Sequence, residues 1–347
     1  MKIAVLRFSA LGDVAMTLPV VWSVAKDNPN TDFIIVTQPW LCSIYKDLLP
    51  NISTYPCEPH GSHAGIFGMW RLAKELKALH IDTVADLHDV LRTKMLRTFL
   101  YVLGCKYKFI NKGRKQRSKL IQQTKYAVPA SQISNSDSSL IELPSQHSKY
   151  ADVFKSLGLN FSLTFQSLDL PLLPQLFQKQ SNQRWIGVAP TAAHLSKVLP
   201  IDKLTSILTE VLQSKSTKVF FFGRETDVVS LSQSLATQFP DKVYHSSQFA
   251  NGLRDELRLM QQLDVMVSMD SGNMHLASLV GIRVVSVWGV THPAMGFLGY
   301  GQSIDDCVAC RYACRPCSVY GQHTRCTDTF PCMSNISNEE LLQKILS

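Results

Sequence analysis

Short apolar runs recur along this chain, separated by longer stretches with helical spacing, and the series is run through twice. A strand buried on both faces shows continuous rather than alternating hydrophobicity, so such runs between helices imply a parallel sheet covered by helices. In the first half, residues 2–8, 32–37 and 83–87 are predicted strands, and 14–26, 40–49, 67–79 and 91–103 predicted helices. A polar interval near 131–139 and a helix around 150–157 follow, after which 170–182 brings Pro171, Pro174 and a Gln-rich tail suited to a linker. The second series has strands at 185–189, 219–222, 265–269 and 284–288, and helices at 201–213, 228–238, 254–263 and 274–280. Ser337-Asn338-Glu339-Glu340 reads as a capping box that opens a last helix. The expected fold is α/β with two Rossmann-like domains: 1–169, a linker at 170–183, 184–335 with a Cys-rich loop, and a C-terminal helix at 336–347. A length of 347 residues suits two domains of ordinary size. Paired halves of this kind usually bind ligands in the cleft between them, at the carboxyl ends of the strands.

The apolar run at 3–8 is too short for the core of a signal peptide, and no stretch approaches the roughly 18–20 apolar residues of a membrane span. The expected compartment is the cytoplasm. The net charge of +8 is unevenly placed: from Arg92 to Lys125 there are eleven Lys or Arg residues and no Asp or Glu. An acid-free run of that length points to one anionic partner surface rather than to general basicity, although charge runs are more often solvated helix faces.

Chemistry-bearing residues gather where strands are expected to end. Asp270-Ser271-Gly272-Asn273-Met274-His275 follows one strand and opens a helix, a geometry that aims backbone N–H groups at a phosphate, or, more plainly, caps the helix through Asp270 or Ser271. Ser9-Ala10-Leu11-Gly12-Asp13-Val14 does the same after the first strand; Asp13 either points into the cleft or serves the helix dipole. Pro190-Thr191-Ala192-Ala193-His194-Leu195-Ser196-Lys197 and Phe222-Gly223-Arg224-Glu225 offer a cation and a carboxylate on neighbouring strand ends. That pair suits a nucleotide's phosphates and ribose hydroxyls, or two surface residues. Val287-Trp288-Gly289-Val290-Thr291-His292-Pro293 completes the set. Neither half carries Gly-x-Gly-x-x-Gly after its first strand, which disfavours a dehydrogenase.

Arg7-Phe8-Ser9-Ala10-Leu11-Gly12-Asp13-Val14 with Leu18-Pro19, then Lys197, Gly223-Arg224-Glu225, Asp270-Ser271-Gly272-x-x-His275 and Gly289-x-Thr291-x-Pro293 resemble, in order and spacing over nearly the whole chain, the bacterial heptosyltransferases of glycosyltransferase family 9. That family adds ADP-heptose to the lipopolysaccharide inner core. The resemblance implies a GT-B fold, two Rossmann-like domains facing across a cleft, with the donor on the C-terminal domain and the acceptor on the N-terminal one. It also implies inversion at the anomeric carbon and no obligatory metal or cofactor. Asp13 would be the general base; Lys197 would meet the donor diphosphate and Glu225 the ribose; Asp270, Ser271, Gly272 and His275 would serve the donor sugar and phosphates, with Thr191, Gly223 and Thr291 completing the donor set. The chain departs from the familiar Gly-Pro-Thr-Asp-Pro at Val290 and His292, which leaves the sugar beside that loop open.

An ordinary carboxyl group and a water-like hydroxyl differ by about 12 pKa units, roughly 16 kcal/mol. Free alkoxide is excluded on that ground, so the donor C–O bond must lengthen first and the proton reach Asp13 late. An inner-core acceptor bears carboxylates and phosphates, which Arg92, Lys94, Lys112, Arg114, Lys115, Arg117 and Lys119 are expected to dock. The expected partners are therefore a nucleotide-sugar donor, an anionic lipid-linked saccharide and the inner face of a membrane, touched peripherally. Nucleic acid is not among them: no base-reading motif is present and few aromatics interleave, although Tyr101, Tyr107 and Phe109 are near. Rival readings are a GT-B sugar-nucleotide epimerase, which needs no acceptor surface, and a non-catalytic glycan-assembly protein.

Six of the nine cysteines fall at Cys307, Cys310, Cys314, Cys317, Cys326 and Cys332. Two Cys-x-x-Cys pairs offer a structural zinc site; disulfides or free packed thiols are the alternatives.

Overall fold

A computed structural model describes residues 1–124 and 140–347 and divides into two compact units. The first comprises Met1–Lys112 and Gln146–Gln166, the second Gly113–Ser145 and Ser167–Ser347. The polar interval at 131–139 and Lys125, at the end of the basic run, lie outside the described residues.

The first unit is a five-stranded, wholly parallel sheet of Lys2–Leu6 (β1), Asp32–Thr37 (β2), Ile52–Pro56 (β3), Thr83–Asp86 (β4) and Lys106–Phe109 (β5), in the order β3-β2-β1-β4-β5. Side chains alternate across a strand, and the two faces of β1 feed two cores. Ala4 and Leu6 join Leu72 and Leu76 of Gly65–Ala78 (α2) and Leu96 and Leu100 of Leu91–Val102 (α3). The opposite face is covered by Leu11–Asp27 (α1) and Gln146–Ser156 (α5), where Phe33 meets Phe154 edge-on at 6.1 Å. The helix expected at 40–49 is a shorter 3₁₀ segment, Pro39–Tyr45. Strands β3 and β5 escape sequence recognition because, at the sheet edges, they lack a continuous apolar run.

The second unit holds Arg184–Ala189 (β6), Thr217–Phe221 (β7), Val243–His245 (β8), Val265–Met269 (β9), Arg283–Trp288 (β10) and Cys307–Ala309 (β11), all parallel, in the order β11-β10-β9-β6-β7-β8. Leu204, Leu208 and Val211 of Ile201–Val211 (α6), Leu231 and Leu235 of Thr226–Gln238 (α7) and Leu341 and Ile345 of the C-terminal helix pack on one face of this sheet. That last helix, Asn338–Leu346, is capped by Ser337, whose hydroxyl accepts from the Glu340 N–H. The segment read as a linker lies on the second unit. Leu170 exchanges hydrogen bonds with the Gln261 side chain, and Arg258, from the helix Leu253–Met260, donates to the Pro171 carbonyl at 2.6 Å.

The second unit also takes in the helix Arg114–Gln123 (α4), which the sequence reading placed in the N-terminal domain. The reason is local. Arg117 lies over the Phe297 ring at 4.3 Å and donates to the Tyr320 hydroxyl at 3.1 Å, while Thr124 donates to the Pro316 carbonyl. Among the described residues, no helix is long and apolar enough to cross a membrane.

Candidate active site

Each unit gathers part of the expected site at its strand ends. In the first, Asp13 sits in the opening turn of α1, where the helix dipole favours a carboxylate. Its Oδ2 is 2.5 Å from Nη2 of Arg7, and the buried Arg7 guanidinium also donates from Nη1 to the Leu87 carbonyl at 2.9 Å. One arginine thereby ties the exits of β1 and β4 together and fixes Asp13 from behind. The Asp13 side chain keeps 31% of its surface open, enough to meet a substrate hydroxyl.

His88 lines the same strand end. Burial, and after it the charges of Arg7, Lys112 and Arg92, push its pKa down to about 3, so it is neutral. Its Nδ1 accepts from the Phe8 N–H at 3.4 Å, and the two rings meet edge-on. Asp86 fixes the loop by accepting from the N–H groups of His88 and Asp89 and from Arg97. Burial nevertheless pushes the Asp86 carboxyl up against those three donors. The outcome is an electropositive strand end formed by Arg7, Arg92 and Lys112.

The structure divides the expected acceptor-docking residues. Arg92, Lys94 and Lys112 belong to the first unit, whereas Arg114, Lys115, Arg117 and Lys119 lie on or beside α4 in the second. Arg114, Lys115 and Lys119 are exposed. The docking role expected of Arg117 does not fit: it is 3% exposed, spent on Phe297 and Tyr320, and anchors α4. A bare run of basic residues gives no warning of this, because one cation in a helix can be turned inward by a single aromatic partner.

In the second unit the expected donor residues converge. The Lys197 Nζ is 3.3 Å from Oδ2 of Asp270, and the Thr291 hydroxyl donates to the same oxygen at 2.8 Å. All three are buried. Asp270 leaves β9 just before the helix Gly272–Leu279 (α9), whose N-cap, Ser271, makes no side-chain capping bond; its hydroxyl lies 3.3 Å from that of Ser268 instead. The opening turn of α9, with His275 one turn along, therefore presents its N–H groups beside a lysine. The loop after β10 is pressed onto the Lys197 loop: a Cβ on Gly289 would stand 2.7 Å from the Ser196 carbonyl oxygen. Arg315, buried, donates to the carbonyls of Trp288, Gly289, Thr291 and Cys310 and so pins the loop that carries Thr291. His292 caps the short turn Pro293–Met295 by accepting the Ala294 N–H at 3.0 Å, a task that an aspartate would also perform.

At the end of β7, Glu225 accepts from the Thr191 hydroxyl at 3.1 Å. Gly223 is required there: φ is +129°, and a Cβ would lie 2.7 Å from Glu225 Oε2. His245 holds the turn through a 2.7 Å contact between Nε2 and the Gly223 carbonyl. A cavity of about 410 Å³ with mostly apolar walls opens beside this pair, lined by Thr191, Leu199, Ile201, Glu225, Val228 and Leu231 among others.

A paired carboxylate and hydroxyl thus stand beside an apolar cavity, and a buried lysine stands at a helix N-terminus. Residues 69–327 match the model of glycosyltransferase family 9 (heptosyltransferase), well over half of the chain. The chain belongs to glycosyltransferase family 9. It is 21% identical over 299 residues to the lipopolysaccharide core heptosyltransferase OpsX of Haemophilus influenzae, covering 84% of this chain and 80% of that protein. Among solved structures it is similar to E. coli ADP-heptose LPS heptosyltransferase II, with a TM-score of 0.66 at 16% identity, covering 100% of this chain and 98% of that one. It is also similar to E. coli heptosyltransferase WaaC with ADP, at TM-score 0.63 and 16% identity, covering 87% and 92%. These structures share the GT-B architecture of two parallel-sheet α/β domains.

In this family 9 glycosyltransferase nothing in the geometry of the Cys-rich loop supports the zinc site that its spacing offered. Among the described residues no three His, Cys, Asp or Glu side chains converge as metal ligands, and the cysteines are free. Cys317 and Cys332 pack with Val290 and Tyr312, while burial pushes the Cys332 thiol up to about 12 and the Cys307 thiol up to about 11. Two residues to which the sequence reading gave no role, Arg7 and Arg315, hold the two strand-end loops. Arg7 stood in plain view at the head of the first motif, whereas nothing in the sequence around Arg315 signals its four carbonyl partners.

Proposed function

We propose that this glycosyltransferase moves a heptose from ADP-heptose to an anionic saccharide of the lipopolysaccharide core, with inversion and with Asp13 as the general base. The observation that carries the reading is the Lys197–Asp270–Thr291 cluster at the uncapped start of α9. Its lysine and N–H groups suit the growing charge of a departing diphosphate, usually the largest electrostatic requirement in such a transfer. Glu225 and Thr191 suit a ribose diol, and the adjoining apolar cavity suits a base.

The bond between the anomeric carbon and the diphosphate oxygen lengthens, the acceptor oxygen bonds to that carbon, and its proton passes late to Asp13. The electron pair of the broken bond leaves on the diphosphate, whose charge Lys197 meets. Arg7 keeps the Asp13 carboxylate in place without closing it off. Arg92 and Lys112 supply positive charge for an anionic acceptor beside that base. Such an acceptor is lipid-linked, which places the reaction at a membrane surface.

Thermal shift with a panel of nucleotides and nucleotide sugars tests the donor. Stabilisation by ADP and ADP-heptose is expected, and a preference for UDP or GDP compounds would overturn the donor assignment. Incubation with ADP-heptose alone separates the rivals: conversion of the donor sugar without acceptor would indicate an epimerase.

A further inference from the structure

One surface of the first unit is unlike any other strand in the sheets. A strand of a parallel sheet is normally buried on both faces, yet all four residues of β5, Lys106-Tyr107-Lys108-Phe109, are exposed. The strand lies at the edge of the sheet, bonded to β4 alone. Exposed aromatic edges invite misassociation and are usually suppressed. Here the apolar surface is extended: on the neighbouring α3, Tyr101 is 63% exposed, and Phe109 on the strand is 49% exposed.

These rings are one connected feature. Tyr101 meets Tyr107 edge-on at 5.7 Å, and Tyr107 lies 6.4 Å from Phe109. Arg97 underlies them, its guanidinium 4.0 Å from the Phe109 centroid and 5.6 Å from that of Tyr107. Arg97 is itself clamped by Asp86 at 2.9 Å and Asp89 at 3.0 Å. The aromatic row therefore stands on a fixed base. Lys106 and Lys108 alternate with the rings, so they project from the other side of the same exposed strand edge, and among the described residues neither makes an ion pair. Two of the neighbouring acids, Asp86 and Asp89, are paired with Arg97, while Asp82, just before β4, accepts the Lys2 backbone N–H.

We infer that the Tyr101–Tyr107–Phe109 row with Lys106 and Lys108 is the surface by which this protein lies on an anionic lipid bilayer. Tyr and Phe rings settle at the headgroup boundary with an apolar body inward, and lysines beside them meet lipid phosphates. A strand edge with rings along one side and lysines along the other, and with Asp86 and Asp89 paired to Arg97, complements that interface. The inference deepens the proposed function, resting on its lipid-linked acceptor, but its test needs neither donor nor acceptor.

The test is flotation of the full chain with bare vesicles of phosphatidylethanolamine and phosphatidylglycerol, against vesicles of phosphatidylcholine. The wild type should float with the anionic vesicles and not with the neutral ones, and added salt should weaken the binding. Tyr101→Ser/Tyr107→Ser/Phe109→Ser should lower the bound fraction at least tenfold. Lys106→Gln/Lys108→Gln should lower affinity by about fivefold per lysine. Circular dichroism and melting curves verify that both variants are folded. If folded variants float as the wild type does, or the wild type does not float, the assignment is overturned. It is equally overturned if the triple variant abolishes self-association or single-stranded nucleic acid binding while vesicle binding persists. Transfer to a delipidated, water-soluble acceptor is measured in parallel. Loss of flotation with transfer intact affects only this surface, and loss of transfer with flotation intact affects only the proposed reaction.

Discussion

Asp13 and Asp270 each follow a central strand of a parallel sheet and stand near the start of a helix, yet they are held in opposite ways. Asp13 has a buried arginine behind it and 31% of its side chain open; Asp270 has 12% open and takes both Lys197 and Thr291 on one oxygen. An open carboxylate with a fixed back can receive a proton. A closed one bearing a lysine and a threonine serves as a post that orients them. The same strand–turn–helix geometry thus leaves a carboxylate open in one unit and closed in the other, in keeping with the proposed base and the proposed binding frame, and the difference lies in which neighbours reach the carboxylate.

Asp13→Asn should break the comparison most severely. It removes the proton acceptor and leaves the frame intact, so kcat should fall by about 10²–10⁴ while ADP affinity by calorimetry is unchanged. A variant that lost ADP binding instead would place Asp13 in the frame. Arg7→Gln should come next, lowering kcat by roughly tenfold to a hundredfold with partial recovery in Arg7→Lys, since the guanidinium holds Asp13 and Leu87 at once. Steady-state kinetics of both variants tests this, and no recovery by lysine would point to the two-pronged geometry rather than the charge.

Lys197→Ala acts on the frame. It should weaken ADP binding by roughly tenfold or more, as expected for a charge-assisted hydrogen bond. It should also cost stability, by about 3 kcal/mol, because Asp270 keeps only Thr291. Urea titration and calorimetry read the two effects separately. Gly223→Ala should have a smaller effect on the same side, displacing Glu225 and lowering nucleotide affinity several-fold with little change in kcat at saturating donor.

A separate effect is one of pH. Folded His88 titrates at about 3 and an unperturbed histidine at 6.5, so the unfolded chain binds the proton first as pH falls. The stability His88 contributes is complete above about 6.5 and is lost toward about 3, by roughly 1.4 kcal/mol per pH unit. Urea titrations at pH 7 and pH 5 should show that drop in the wild type and a shallower one in His88→Gln.

Central strands were legible in the sequence because burial on both faces demands an unbroken apolar run, as in Val265-Met266-Val267-Ser268-Met269. Edge strands were not: Lys106-Tyr107-Lys108-Phe109 and Cys307-Val308-Ala309 become strands because a neighbour's backbone accepts them. The helix α4 escaped notice for a related reason, being polar along most of its length and held in place by Arg117 and Leu120. The strand-end motifs singled out Thr191, Lys197, Glu225, Asp270 and Thr291 by type and position. Their pairing, Lys197 with Asp270 and Thr191 with Glu225, depended on contacts between residues far apart in the chain.

The sequence by itself determined the α/β class, the two series of strands and helices and the family, since hydrophobic period and turn chemistry are local properties carried by consecutive residues. Only the tertiary structure decided that Arg117 is an anchor while Arg114, Lys115 and Lys119 are exposed, that Arg7 stands behind Asp13, and that Cys317 and Cys332 pack with Val290 and Tyr312. The first and third depend on burial against residues far along the chain, and the second on how the turn after β1 folds back, none of which hydrophobic period alone encodes.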